Sequence, residues 1–476
     1  MINTNAVAAW LCAAVIFALA PACDDTSNPA PAGGGGGGGS APIGGSASGA
    51  GGIGGETSPD GGSGGSPAAG GGSTGGAGPG CGDGEVGPGE ACDDGNAVNG
   101  DGCSDCMESG SVLAYFELSG PAESELNSLA WAGPDRLAAT GVTRDAQGAF
   151  DVLVVVFEVS TAQVLWSDTY NGVGAPESEG GTTDRGTGVV ALADGSLVVS
   201  GYELVSDPAL VPYPRECIWA RRYSADGSVL WTKQMPTTDI GRAGTVSAND
   251  DGRIFIGGAT ESTAWLRAYN QNGAEMWTEQ PPGTGPGGNG GNRISGIATT
   301  VDSRVAVVGA LRGASNASEY YVALFNNDGD EVWSEVSDVG QYGGRIGAAE
   351  DGTLFTTGTA ATSGFLRKYS SSGDLQWHLD SPLGPMRLPN VMSVWASGDV
   401  LLGTNFWNGT SDVPELTRLD SEGGVRWARE IDPGTLSYRH ISASAIAPDG
   451  RIAVGGRGDP DSAFLAERGW AAVIAQ

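Results

Sequence analysis

The chain has 476 residues, a net charge of −32 and 82 glycines concentrated before residue 80, so a single folded domain is expected to occupy the remainder. Only 24 residues are basic, two of them lysine (Lys233 and Lys368), against 56 acidic ones. That balance argues against nucleic acid or an anionic membrane surface as a partner and for a solvated, self-repelling exterior.

The first element is an apolar run, "AVAAWLCAAVIFALA" from Ala6 to Ala20, too short to span a bilayer comfortably and closed by small residues. It reads as a secretory signal over residues 1–22. The following "APAC", Ala20 to Cys23, resembles a bacterial lipobox, which implies that Cys23 is the lipid-bearing first residue of the mature chain. Ala20-Pro21-Ala22 also satisfies the small-x-small rule for ordinary cleavage at the same bond. Export is expected either way, to the outer membrane or cell surface as a lipoprotein, or by secretion. Residues 23–80 are low-complexity Gly/Ser/Ala/Pro with almost nothing to bury, so they cannot repay the entropy of folding. As a flexible coil they would reach about 40 Å, a tether behind an anchored cysteine.

Four cysteines then crowd into residues 81–109: Cys81, Cys92, Cys103 and Cys106. An even, dense cluster in an exported chain reads as a disulfide framework with three possible connectivities. The stretch "CGDGEVGPGEACDDGNAVNGDGCSDC" resembles the Myxococcus-type cysteine-rich repeat, a short disulfide module of exported bacterial proteins. A module this small has too little core, and cross-links replace it. Zinc is disfavoured by the spacing and the compartment. Asp94, Asn96, Asn99 and Asp101, next to Asp93, form an oxygen-rich loop that could take calcium, although its spacing is not that of an EF-hand and Asx turns use the same residues. No other cofactor is expected.

From residue 110 to 476 one pattern recurs. A small-residue strand ("RGTGVVALA", "RISGIATT") leads through a turn to a second strand ending in glycine ("DGSLVVSG", "DGRIFIGG", "DSRVAVVG"). An aromatic third strand follows ("IWARRYS", "AWLRAYN", "YYVALFN"), then a tight turn and a fourth strand carrying tryptophan ("SADGSVLWTKQ", "NQNGAEMWTEQ", "NNDGDEVWSEV"). Alternation bounded by Asp-Gly or Asn-Gly is a hairpin signal, because the turn needs positive φ. Trp166, Trp231, Trp277, Trp333, Trp377 and Trp427 recur every 44 to 65 residues or so, a spacing suited to four-stranded propeller blades. Six tryptophans meet seven second strands. The last copy stops after "GWAAVIAQ", a third strand, while "GSVLAYFEL" at Gly110 to Leu118 is a fourth strand with Ala114 in the tryptophan place. The expected fold is therefore all-β, a seven-bladed propeller closed by pairing its two ends, which removes two exposed sheet edges. The repeat resembles a bacterial β-propeller repeat family, and that resemblance implies fold rather than function.

Catalytic signatures are sparse. The histidines are His378 and His440, with no plausible triad or metal cluster around them. Cys217 stands alone, where a quinone-dependent dehydrogenase would show adjacent cysteines. "SADGSVLW" echoes a sialidase-type Asp-box with its glycine one place early, and no carboxylate pair stands out for glycoside cleavage. Arg185, Arg242 and Arg293 share a register ten residues before the first turn of their blades, with Arg387 and Arg439 one place off. In a ring they would converge on one mouth and focus an anionic ligand, or each would pair with an acid of the neighbouring blade. Tyr202, Tyr213 and Trp407 lie in or beside the variable loops between second and third strands, where recognition usually sits. The expectation is a monomeric, non-catalytic envelope protein that binds protein or glycan and touches the membrane only through its lipid. An envelope assembly factor and an extracellular hydrolase or lyase are the alternatives.

Overall fold

The structure, a computed structural model, describes Val86, residues 91–93, 103–104 and 107–476, apart from segments 119–122, 145–147, 172–183, 206–214, 236–241, 260–262, 282–290, 314–316, 361–362, 385–386, 408–411, 432–435 and 460–466. The signal, the tether, Cys81, Cys106 and the oxygen-rich loop at Asp94, Asn96, Asn99 and Asp101 lie outside the described residues.

Seven four-stranded antiparallel sheets follow one another as blades I to VII. Their first strands are Ser124–Trp131, Arg185–Ala191, Arg242–Ala248, Arg293–Thr299, Gln341–Ala348, Val391–Val394 and Ser437–Ile446. Each first strand forms one edge of its sheet and lies next to the first strands of the neighbouring blades, so these edges surround a common axis. Blade VII takes its first three strands from the end of the chain and its fourth, Val112–Glu117, from the beginning. The seam is an antiparallel ladder, with Tyr115 opposite Ala472 and Glu117 opposite Trp470. The protein is a seven-bladed β-propeller closed by its N-terminal strand.

The core is divided among the interfaces between blades. Inner strands such as "LVVVF", in the third strand of blade I, and "LVVSG", in the second strand of blade II, read as unbroken apolar runs because both faces of each sheet are covered. Leu197 and Val199 pack with Val152 and Val154 of blade I, whereas Val198 packs with Ile254 and Ile256 of blade III. The same division continues round the ring to the closing interface, where Phe116 and Val473 of blade VII meet Phe157 and Leu126 of blade I. Burial of this kind contributes about 25 cal/mol for each Å² of apolar surface removed from water.

The repeated residues each have a local cause. Turn glycines Gly227, Gly273, Gly329 and Gly373 have φ between +76° and +97°, a region that L-residues avoid. Each also lies against the indole of the preceding blade: a Cβ on Gly227 would come within 2.8 Å of Trp166, and one on Gly373 within 2.6 Å of Trp333. The indole N–H then donates to a carbonyl in that same turn, Trp166 to Ala225 at 3.2 Å and Trp231 to Gln271 at 2.9 Å. Trp277, Trp333 and Trp377 repeat the bond to Asn327, Ser371 and Ser421. Tryptophan and turn glycine are thus two halves of one joint between blades.

The cysteine region adjoins the ring directly. Cys92 and Cys103 are disulfide-bonded, and the hairpin of Cys103–Ser104 with Met107–Glu108 runs into the closing strand through buried Ser109. Glu108 pairs with Arg429 of blade VI at 2.7 Å. Cys217, isolated in sequence, is not a free thiol: it is buried in the third strand of blade II and disulfide-bonded, and its partner is not among the described residues.

Candidate functional site

In blades I to VI the turns joining first to second and third to fourth strands lie at one face of the ring, as does the first-to-second turn of blade VII. The starts of the first strands and the ends of the second strands lie at the opposite face, which is called the mouth below. Two levels of the mouth are defined by backbone register.

At the outer level stand Glu125, Arg185, Arg242, Arg293, Tyr342 and His440, on blades I, II, III, IV, V and VII. Each is paired one residue beyond a second-strand glycine. That glycine is obligatory where the rim residue's carbonyl occupies its Cβ position: Cβ atoms on Gly141, Gly201, Gly309 and Gly456 would sit within 2.0 Å of the oxygens of Glu125, Arg185, Arg293 and His440. The glycine that closes the second-strand motif therefore marks the rim.

Two residues deeper, six of the seven first strands carry a β-bulge in the same place. The bulged residues include Asn127, Thr187, Gly244, Ser295 and Ser442. Blade V bulges by two, Gly344 and Arg345. Three of these side chains staple one blade to the next through a main-chain carbonyl: Asn127 to Gly186 at 3.0 Å, Arg345 to Asn390 at 3.3 Å and Ser442 to Leu126 at 2.6 Å. Bulges re-aim side chains, and here they turn them onto the neighbouring blade.

Electrostatics separate the arginines. Arg185 pairs with Glu125 of blade I at 3.3 Å, Arg387 with Glu415, and Arg457 with Glu467 at 2.9 Å. The side chain of Arg242 is outside the described residues. Arg293 is exposed, and its guanidinium lies 5.6 Å from the ring centroid of Tyr342, with no carboxylate partner among the described residues. Arg345 also has none. Its Nε is used on Asn390, and burial lowers its pKa with no acid nearby to restore it. The mouth is thus not a uniform cationic rim: Arg185 is neutralised, while blades IV and V keep uncompensated positive charge.

Aromatic surface gathers beside blade VI. Its first strand is the shortest of the seven, and its ladder with the second strand ends at the Val391–Gly403 pair. The second strand runs on to Trp407, which is 56% exposed. Trp407 stacks on Tyr438 of blade VII, with centroids 5.9 Å apart and planes 24° apart. Tyr438 has φ of +48°, an unusual backbone for a bulky side chain that a fold keeps only where surrounding structure or function demands it. Arg387 lies 4.4 Å from the Phe406 ring centroid beside this pair. Asn405 bonds the backbone of Ile441 twice, at 2.8 and 3.2 Å, and fixes the seam under the stack. Of the loop aromatics singled out in sequence, Trp407 joins this surface, Tyr202 is a half-buried strand residue opposite Arg185, and Tyr213 is outside the described residues. Tyr438 and Arg345 carried no sequence signal, since one precedes its repeat and the other is displaced by the double bulge.

The histidines are apart. His378 is on the outermost strand of blade V and lies 3.0 Å from Asp380. His440 is at the rim, where burial and Arg457 lower its pKa and keep it neutral. No group of three or more metal-ligating side chains occurs among the described residues.

No family model matches the chain, and no curated protein matches it. Many solved structures resemble it in fold. A streptogramin B lyase is 11% identical with a TM-score of 0.47, over 75% of this chain and 96% of that one. The β-propeller domain of the Trilobed protease from Pyrococcus furiosus is 10% identical with a TM-score of 0.46, over 74% and 94%. A PL25 ulvan lyase is 11% identical with a TM-score of 0.44, over 71% and 93%. At such identities the likeness concerns the fold alone.

Proposed function

We propose that this protein is a non-catalytic binding protein, exported and held by lipid at Cys23, that presents the propeller mouth to an envelope or extracellular ligand. The observation that supports this most is the Trp407–Tyr438 stack: an aromatic surface at the seam of blades VI and VII, with Trp407 exposed and Tyr438 held on an unfavourable backbone. Flat aromatic faces flanked by a few polar groups suit the recognition of a sugar ring or an extended protein segment. The glycine-rich stretch after Cys23 would give the mouth reach away from the membrane.

The test is binding by the full-length protein against immobilised glycans and envelope extracts, with Trp407→Ala as the matched control. Loss of a ligand in the variant at unchanged melting temperature supports the reading. Identical binding by the two proteins removes the mouth as the site. Mass spectrometry of the mature N-terminus tests the anchor, and an unmodified Cys23 removes it.

A further inference from the structure

The mouth combines two chemistries on adjacent seams. At the V/VI seam, Arg345 is tied by Nε to the Asn390 carbonyl, which positions the guanidinium. Its two terminal nitrogens make no bond to any described residue, and the side chain is half-buried at the mouth. A guanidinium held by one nitrogen, with its other two free, is prepared for bidentate pairing with a planar oxyanion. One seam back, Arg293 is exposed and held only against the Tyr342 ring. Other arginines described around the mouth are paired within the protein: Arg185 with Glu125, Arg387 with Glu415, Arg144 with Glu123 and Arg468 with Glu117. Two uncompensated arginines on a chain of net charge −32 are therefore a local exception. At the VI/VII seam the next contact is the open Trp407–Tyr438 stack.

We infer that the mouth takes an acidic glycan, its carboxylates on Arg345 and Arg293 and a sugar ring on the Trp407–Tyr438 face. This rests on the binding role proposed above and adds the ligand class. A uronate chain fits both halves, because each residue carries a carboxylate and an apolar C–H face. An acidic peptide satisfies the arginines but gives no reason for the open stack.

The experiment uses the full-length protein with polygalacturonate, a neutral β-glucan and poly-glutamate as probes, at low and physiological salt. Polygalacturonate is expected to bind, to weaken with salt, and to lose about tenfold or more in affinity in Arg293→Gln and in Arg345→Gln, the scale of one charge-assisted contact. Trp407→Ala is expected to weaken it comparably. Should Arg345→Gln fail to fold, the exposed Arg293 and Trp407 still decide the outcome. Binding of the neutral glucan alone, sensitive to Trp407→Ala, overturns the acidic class but leaves the binding role intact. Equal binding of poly-glutamate that ignores Trp407→Ala overturns the glycan in favour of acidic peptide. Binding of none of the probes, together with no Trp407-dependent ligand in the broader screen, removes both readings.

Discussion

Trp277 and Asn327 belong to adjacent blades, and the indole N–H of the first donates to the main-chain carbonyl of the second at 3.0 Å. Gly329, two residues further, lies flat against the same ring. This joint recurs at five successive interfaces, from blades I and II to blades V and VI. Trp427 faces blade VII, whose third and fourth strands are not joined by a turn, and its indole nitrogen is buried without a hydrogen-bond partner. Replacing Trp277 by Phe is therefore expected to cost about 1 kcal/mol more than replacing Trp427 by Phe, since only the first loses a made bond. Urea unfolding of the two variants checks this; equal losses would mean that the indole bond adds nothing beyond packing.

The converse holds at the seam between blades VII and I. Blade VII has Ala114 where the other fourth strands have tryptophan, and blade I has Ala162, at φ of +53°, where the next turns have glycine. Without an indole to receive, the turn no longer requires glycine. Ala162→Gly alone should stabilise the protein by up to about 1 kcal/mol by relieving left-handed strain. Ala114→Trp alone should destabilise it. The double variant should recover part of that loss, with a coupling of roughly 0.5–3 kcal/mol in a double-mutant cycle. Strict additivity would show that the two positions do not meet.

Tyr438 separates strain from recognition. Its φ of +48° has no turn-forming role comparable to that of Ser303, which at +64° occupies the glycine place of a first turn. Ser303→Gly is expected to leave stability unchanged or raise it by up to about 1 kcal/mol, whereas Tyr438→Gly sets relief of strain of that size against loss of the ring contact with Trp407, for little net change. Only Tyr438→Gly should abolish the Trp407-dependent ligand. If Tyr438→Gly melts well below the parent protein, the ring serves the fold and not the ligand.

Much of this architecture was legible in the primary structure because the joints are made from residue types with few substitutes. A glycine at positive φ and an indole that must both pack and donate recur visibly, and a fourth strand with Ala114 in place of tryptophan exposes the closure. The rim was partly legible: Arg185, Arg242 and Arg293 each begin a first strand, but which carboxylate lies across the interface is decided by three-dimensional neighbours. Glu125 reaches Arg185 from 60 residues away. Arg345 was hidden because one extra bulged residue moves it out of the repeat register. Tyr438 and Trp407 meet only through the packing of blade VI on blade VII, which no single repeat encodes.

The pH dependence of stability follows from two kinds of group. His440 is buried at the rim with a lowered pKa, from desolvation first and from Arg457 second. The unfolded chain binds a proton near pH 6.5 and the folded chain only at lower pH, so stability is level above about pH 6.5 and falls as the pH drops below it. His440→Gln should flatten that slope. Asp194 is lowered by the Ser196 hydroxyl and backbone amide, and Asp351 chiefly by the Thr353 amide. Their contribution is present above about pH 4 and lost as the pH falls further, which places a second decline in strongly acidic solution. Thermal unfolding across pH 3 to 8 or so would resolve the two steps; a single decline below pH 4 would remove His440 from the account.

Closure of the ring rests on a single strand taken from the other end of the domain. The strand Val112–Glu117 covers the edge of Arg468–Ile474 and carries Phe116, whose ring lies 4.6 Å from that of Phe157 in blade I. Removing it would uncover one unpaired edge and half of an interface core at once, and an exposed apolar edge is a template for association with other chains. A chain beginning after Leu118 should therefore be aggregated or lose its cooperative transition. A milder variant, Phe116→Ala, should fold but lose about 3–5 kcal/mol. The two results together distinguish closure from ordinary packing, because an open ring that tolerated loss of the strand would lose far less from the single side chain. A soluble monomer lacking the strand, with the melting temperature of the full protein, would contradict the closed ring.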